Sequence, residues 1–265
     1  MKKFIAIVIT LAMVLCLAAC SKGNPPEGPD TATDLEYVLN KGTLVVGVTD
    51  FEPMDYQDAD GNWIGFDADV AAAFAESLGL KVEFVEIDWD NKILELNGKS
   101  IDCIWNGMTL TDEVTSAASC SNAYFNNKQV VIVPAADADK YQTAEACKDL
   151  NFAVEAGSAG EAVANENGFK VTPVKDQASA LMEVKSGTAD AAVIDLLMAM
   201  AMTGEGTGYA DLTYTVGLND EEYGVAFRQG SELAEKLNAF FVNNYADIET
   251  IAETYGLTDA LIEQK

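Results

Sequence analysis

Histidine is absent from the 265 residues, and arginine occurs once, at Arg228. Without histidine, Ser-His-Asp and Cys-His nucleophilic arrangements cannot be assembled. Cysteine is scarce as well: five are present and none pair at zinc-binding spacing, so no metal site is expected, and no cofactor either. Positive charge is short overall, with 16 basic against 43 acidic residues and a formal net charge of −27. A surface of that sign repels phosphate backbones and anionic headgroups, which excludes nucleic acid as a partner. No apolar run is long enough to cross a bilayer as a stable helix.

What is present begins with a processing signal. Met1-Lys2-Lys3 is basic, Phe4 to Leu17 is apolar, and Leu17-Ala18-Ala19-Cys20 closes the run with small residues. This order predicts a secretory signal peptide over residues 1–19. LAAC resembles the lipobox of bacterial lipoproteins, which implies that Cys20 carries a lipid anchor; plain cleavage after Ala19 is the alternative. Residues 20–33, polar and rich in Pro and Gly, then serve as a tether. Cys16 leaves with the signal, so Cys103, Cys120 and Cys147 remain, and at most one intramolecular disulfide can form among them.

The stretch from Ile101 to Val114, IDCIWNGMTLTDEV, organises the rest. Ile101 to Trp105 reads as a buried strand that breaks into Asn106-Gly107-Met108-Thr109. Gly107 allows close approach to the backbone, Asn106 and Thr109 bring an amide and a hydroxyl, and Thr111 with Glu113 suits a helix cap. A strand ending in polar groups at a helix start suits a small-molecule site; taken alone, a turn and a cap explain it equally well.

Around it, apolar β-branched runs alternate with helical patterns. Strands are expected at Thr43–Val48, Lys81–Ile87, Gln129–Val133, Phe152–Val154, Val171–Val174, Ala191–Ile194 and Tyr223–Phe227. Helices are expected at Ala68–Leu78, Ala178–Ser186 and Leu233–Tyr245, which together with the strands predicts an α/β fold with largely parallel sheets. Two strand ends stand out. Gly157-Ser158-Ala159-Gly160 presents backbone N–H groups at a helix start, which suits an anion or is merely a glycine-rich turn. Asp195 ends an apolar strand, where an acid is costly to bury without a partner unless it caps the following helix.

LVVGVTDFEPMDY, GNWIGFDADVAAAFAESLGL, WDNKILELNGKSIDCIWNGMTLTDE, AYFNNKQVVIV, FAVEAGSAGE, GTADAAVID and YGVAFRQGS occur in that order. In these pieces the chain from Gly42 to Gly256 resembles the family 3 solute-binding proteins of ABC importers, which bind polar amino acids. The resemblance implies a two-lobed fold of the type II periplasmic-binding-protein kind, closing over its ligand like a hinge. Lobe 1 would comprise residues 34–128 plus 226–265 and lobe 2 residues 129–225. It also implies that Phe51 and Trp89 stack on the ligand, that Asn106, Gly107 and Thr109 contact it, that the turn of Ser158, Ala159 and Gly160 meets an α-carboxylate, and that Asp195 binds an α-ammonium.

One departure matters. The family usually carries an arginine where this chain has Val114, and loss of that carboxylate clamp calls for a replacement; Lys128, beside the first crossing segment, is the candidate. Asp50, Glu52 and Asp55 cluster near the first loop, and if one of them faced the cleft a cationic ligand would be favoured. The expected function is capture of an amino acid or related polar amine and its delivery to an ABC permease, by a monomer lipid-anchored on the extracytoplasmic face. The alternatives are an enzyme on the same fold, such as a cyclohexadienyl dehydratase, and a ligand-sensing subunit. No carboxylates pair at a distinctive spacing, so no catalytic residue is expected.

Overall fold

The computed structural model describes residues 32–265; the signal peptide, Cys20 and most of the tether lie outside the described residues. Thr33 accepts from the Glu36 N–H, and Glu36 accepts from the Thr33 N–H, a reciprocal cap on the helix Asp34–Lys41. Among the described residues the strands are β1 (Thr43–Val48), β2 (Tyr56–Gln57), β3 (Trp63–Ile64), β4 (Lys81–Glu86), β5 (Cys103–Ile104), β6 (Ser119–Cys120), β7 (Phe125–Asn127), β8 (Gln129–Pro134), β9 (Asn151–Glu155), β10 (Lys170–Val174), β11 (Ala191–Asp195), β12 (Leu212–Gly217), β13 (Glu221–Tyr223) and β14 (Ala226–Phe227).

These build two five-stranded sheets, ordered β4-β1-β5-β14-β6 and β10-β9-β11-β8-β12. In the first, β1 pairs in parallel with β4 and β5, while β14 runs antiparallel to β5 and β6. In the second, β9 is parallel to β10 and β11, while β8 is antiparallel to β11 and β12. Each sheet is therefore mixed, with as many antiparallel as parallel pairings. The reason lies in the connection. β7 leads out of the first sheet into β8, β13 leads back into β14, and β7 and β13 pair antiparallel between them. A strand that arrives by a crossing segment, without a helical crossover, is free to enter antiparallel.

The same crossing breaks the strand expected at Tyr223–Phe227. Gly224 interrupts it, and a Cβ at Gly224 would sit 2.6 Å from a Leu110 methyl, so the backbone there is pressed against the first lobe. Elsewhere local rules hold. The helix Phe66–Ser77 buries Val70 and Phe74, and Phe74 meets Trp105 and Phe240 in the first core. The helix Gln177–Ser186 starts with Asp176 accepting from the Ser179 N–H and ends at Gly187 in the left-handed conformation.

Arg228 is structural. Its guanidinium donates to Asp34, to Asp102 at 2.9 Å and to the carbonyls of Leu96 and Ile101, tying the first helix to the start of β5. Cys103, Cys120 and Cys147 are all free thiols, and Cys103 is fully buried in the core. Among the described residues no helix is long and apolar enough to cross a membrane.

Candidate functional site

A cavity of about 360 Å³ opens between the sheets at the carboxyl ends of their parallel strands. Crevices at such strand ends are where α/β folds bind ligands. The volume is at the small end for ligand pockets, which span about 300–1,000 Å³, and suits one amino-acid-sized molecule.

The first-lobe wall carries Phe51 and Trp89, both buried, and the Asn106–Thr109 turn. Gly107 has φ +53°, and a Cβ there would lie 2.5 Å from the Phe51 ring, so the glycine is what lets the ring pack against the turn. The donors of this turn are committed to partners within the protein. Asn106 accepts from the Thr49 N–H and hydroxyl and donates to the Thr49 carbonyl and to Asp55 at 2.9 Å. The Gly107 N–H donates to Asp67 at 2.6 Å, and Tyr124 donates to the same oxygen. Burial pushes the Asp67 carboxyl up to about 7. Thr109 gives its hydroxyl proton to Glu221 of the crossing strand. Thr111 alone caps the helix Asp112–Ala117, without help from Glu113.

The second-lobe wall is acidic. Asp195 ends β11 directly across from Gln129, the first residue of β8. Its carboxylate accepts from Asn127, from Gln129 at 3.0 Å, from Gln177 and from the Tyr223 hydroxyl at 2.6 Å. It makes no bond to the helix that follows, so it does not cap that helix. Burial raises it to about 8, the Glu221 charge adds to this, and the donors pull the other way. Glu155 ends the neighbouring strand β9, also buried, and is raised to about 8 by burial and by the charges of Asp195 and Asp176.

Lys92 supplies the buried positive charge. Its Nζ donates to the Trp89 carbonyl at 3.3 Å and, across the cleft, to the Gly157 carbonyl at 2.8 Å, and it lies 5.2 Å from the centre of the Trp89 ring. Burial lowers its pKa, which the charges of Glu113, Glu155 and Asp90 oppose. Beside it, the Ser158 hydroxyl accepts from the Glu161 N–H, and the Gly157 N–H donates to the Glu161 carboxylate. The next N–H groups, at Ala159 and Gly160, are the first of the helix Ala159–Glu166 and have no acceptor within it.

Of the residues expected from sequence, Phe51, Trp89, Asn106, Gly107, Thr109, Ser158, Ala159 and Asp195 line this cavity. Gly160 packs behind it, where a Cβ would meet Gln129 and the Val193 carbonyl. Lys128 is elsewhere. It lies between inward-facing Asn127 and Gln129, so strand alternation turns it out, where it pairs with exposed Asp220. Val114 is buried in the cavity wall and supplies no charge. Asp50 and Glu52 line a separate cavity with Lys175, and Asp55 is buried beneath Asn106, so the first-loop acids are not what makes the cleft acidic.

Lys92, Glu155, Gln129, Gln177 and Glu221 were missed. Two of them had a signal. Lys92 is three residues after Trp89 at a helix start and so shares its face. Glu155 ends an apolar strand just as Asp195 does.

Residues 44–258 match the family described as bacterial extracellular solute-binding proteins, family 3. The arginine-binding extracellular protein ArtP of Bacillus subtilis is 28% identical over 250 residues, covering 90% of this chain and 91% of that protein. A substrate-binding protein of an ABC uptake transporter from Streptococcus pneumoniae, solved with histidine bound, superposes with a TM-score of 0.79 at 28% identity, over 87% of this chain and 99% of that one. The ancestral amino-acid-binding protein AncCDT-1, a precursor of cyclohexadienyl dehydratase, gives a TM-score of 0.76 at 32% identity, over 83% and 98%. With two mixed sheets joined by a crossing ribbon and a polar cavity between them, the chain belongs to the bacterial extracellular solute-binding proteins, family 3, and works outside the cytoplasm.

Proposed function

We propose that the chain is the amino-acid-binding component of an ABC importer, capturing one amino acid between its lobes and handing it to the permease. The observation that carries this reading is the opposition of charges across one small cavity. Asp195, gripped by four side-chain donors, faces a ligand ammonium, while Lys92 and the free N–H groups at Ala159 and Gly160 face its carboxylate. Lys92 then fills the place left by the arginine the chain lacks at Val114. The chain acts as a monomer of two lobes, residues 34–128 plus 226–265 and residues 129–225, and is held at the membrane by lipid on Cys20.

The test is a thermal-shift screen of residues 24–265 against the twenty amino acids. Ligand at a hundred times its dissociation constant adds about 2.7 kcal/mol. A shift with at least one amino acid that vanishes in Asp195→Ala is expected; no shift with any of them would sink the reading. Cys20→Ser is expected to release the protein from the membrane fraction.

An enzyme on the same fold is a second reading, favoured by one observation: a buried carboxyl, Glu155, that stays protonated near neutral pH as a general acid must. Incubation with prephenate or arogenate is expected to return both unchanged.

A further inference from the structure

One oxygen of the Glu155 carboxyl is left without a structural task. It is 2% exposed, it lines the cavity, and its Oε1 finds no hydrogen-bond partner. Asp102 is paired with both Arg228 and Lys41, and Asp195 has its four donors; Asp55 and Asp67 each keep one oxygen without a partner, but of these three unmatched acids only Glu155 lines the cavity. The groups that face Glu155 are the acids Asp195 and Asp176, the neutral side chains of Thr49 and Gln177, and one cation, Lys92. Lys92 is already engaged with two carbonyls, and its remaining proton is the one available to an anion.

The charges can then be matched to a ligand. The two ends of an amino acid use Asp195 and Lys92. Glu155 remains, an acid that lines the same small space with one oxygen unbonded, and an orphaned carboxylate in a desolvated site is costly. A neutral ligand side chain would leave it orphaned. A positive one would complete it.

Resting on the reading of the cavity as an amino-acid site, we infer that Glu155 receives a positively charged ligand side chain, so that the protein selects amino acids ending in a guanidinium or ammonium over neutral ones of the same shape. Exposed Asp112, Glu113 and Glu166 at the cavity rim add an attractive field for such a ligand. Phe51 and Trp89 cover the aliphatic stem between its two charged ends.

Titration calorimetry with two matched pairs tests this: L-arginine against L-citrulline, and L-lysine against L-glutamine. The wild-type chain is expected to prefer the charged member of at least one pair by roughly ten- to a hundredfold. In Glu155→Gln that preference is expected to collapse towards unity, and a circular-dichroism spectrum and cooperative melt like the wild type's show that the variant is folded. Arginine is further expected to release more protons on binding than citrulline, and the excess to disappear in Glu155→Gln. Neutral members bound as tightly as their charged partners by the wild type, or a preference that survives Glu155→Gln, would overturn the inference while leaving the amino-acid site intact. A wild-type chain that binds none of the four, nor any other amino acid, would overturn both readings together.

Discussion

Two buried cations in this chain have opposite surroundings. Arg228 is saturated: two carboxylates and two carbonyls take up its donors, and everything it touches belongs to the first lobe or the helix leading into it. Lys92 has two carbonyls, one from each lobe, and no carboxylate hydrogen-bonded to it. The difference teaches how to tell a brace from a binding group. A cation hydrogen-bonded to carboxylates of its own lobe holds the fold, and one bonded only to carbonyls keeps its charge for a ligand anion. The acids divide the same way, Asp102 with the braces and Glu155 with the waiting groups.

The comparison breaks if the two cations respond alike to removal. Arg228→Ala leaves Asp34 and Asp102 without their guanidinium and is expected to cost about 3–5 kcal/mol in a denaturant titration; a loss below about 1 kcal/mol would mean that the brace is ornamental. Lys92→Met is expected to do the converse. It should weaken amino-acid binding by about 1.5–3 kcal/mol, one to two decades in dissociation constant, with little change in the unfolding midpoint of the empty protein.

Acidity sharpens the contrast. Asp67, Glu155 and Asp195 are held near 7, 8 and 8, well above the ordinary carboxylate range. A carboxyl that binds its proton more tightly folded than unfolded adds stability that is fully present below the unfolded pKa and lost as pH rises through the folded one. The empty protein is therefore expected to melt several degrees higher at pH 5 than at pH 8, read by calorimetry, and ligand affinity to move the other way because Asp195 must be charged to hold an ammonium. A melting point that rises from pH 5 to pH 8 would show that these acids are ionised in the empty site. The smallest effect belongs to Lys128→Ala. Its pair with Asp220 is exposed, so both stability and affinity should change by less than about 0.5 kcal/mol.

Much of this was legible in the sequence where one local rule decides. Thr43–Val48 reads as a strand because its β-branched run is bounded by Gly42 and a polar loop, and the structure places it residue for residue. Asp195 is legible because an acid closing an apolar strand has few bland explanations. Glu155 carries the same mark but sits two residues before a glycine turn that suits an anion, and that turn drew the attention. Lys92 was hidden by its helix, whose apolar residues define the pattern, while a lysine can bury its stem and turn its ammonium inward without disturbing it. Lys128 was misplaced by reading nearness along the chain as nearness in space; alternation about Asn127 and Gln129 was the better guide. The antiparallel half of each sheet was beyond local rules, since it follows from two chain crossings far apart in sequence.

Gly157 sets the width of the space in which all of this happens. It has φ +70°, and a Cβ there would stand 2.7 Å from the Cα of Asp90 on the opposite lobe. The jaws therefore meet at the main chain of Asp90, with its side chain packed at the same contact. The cleft acts as a fixed gauge. The Lys92 bond to the Gly157 carbonyl spans the same contact, so whatever holds the jaws apart at Gly157 also stretches that bond. Under the proposed function, the fit of a ligand and the reach of the Lys92 charge are therefore set by one contact.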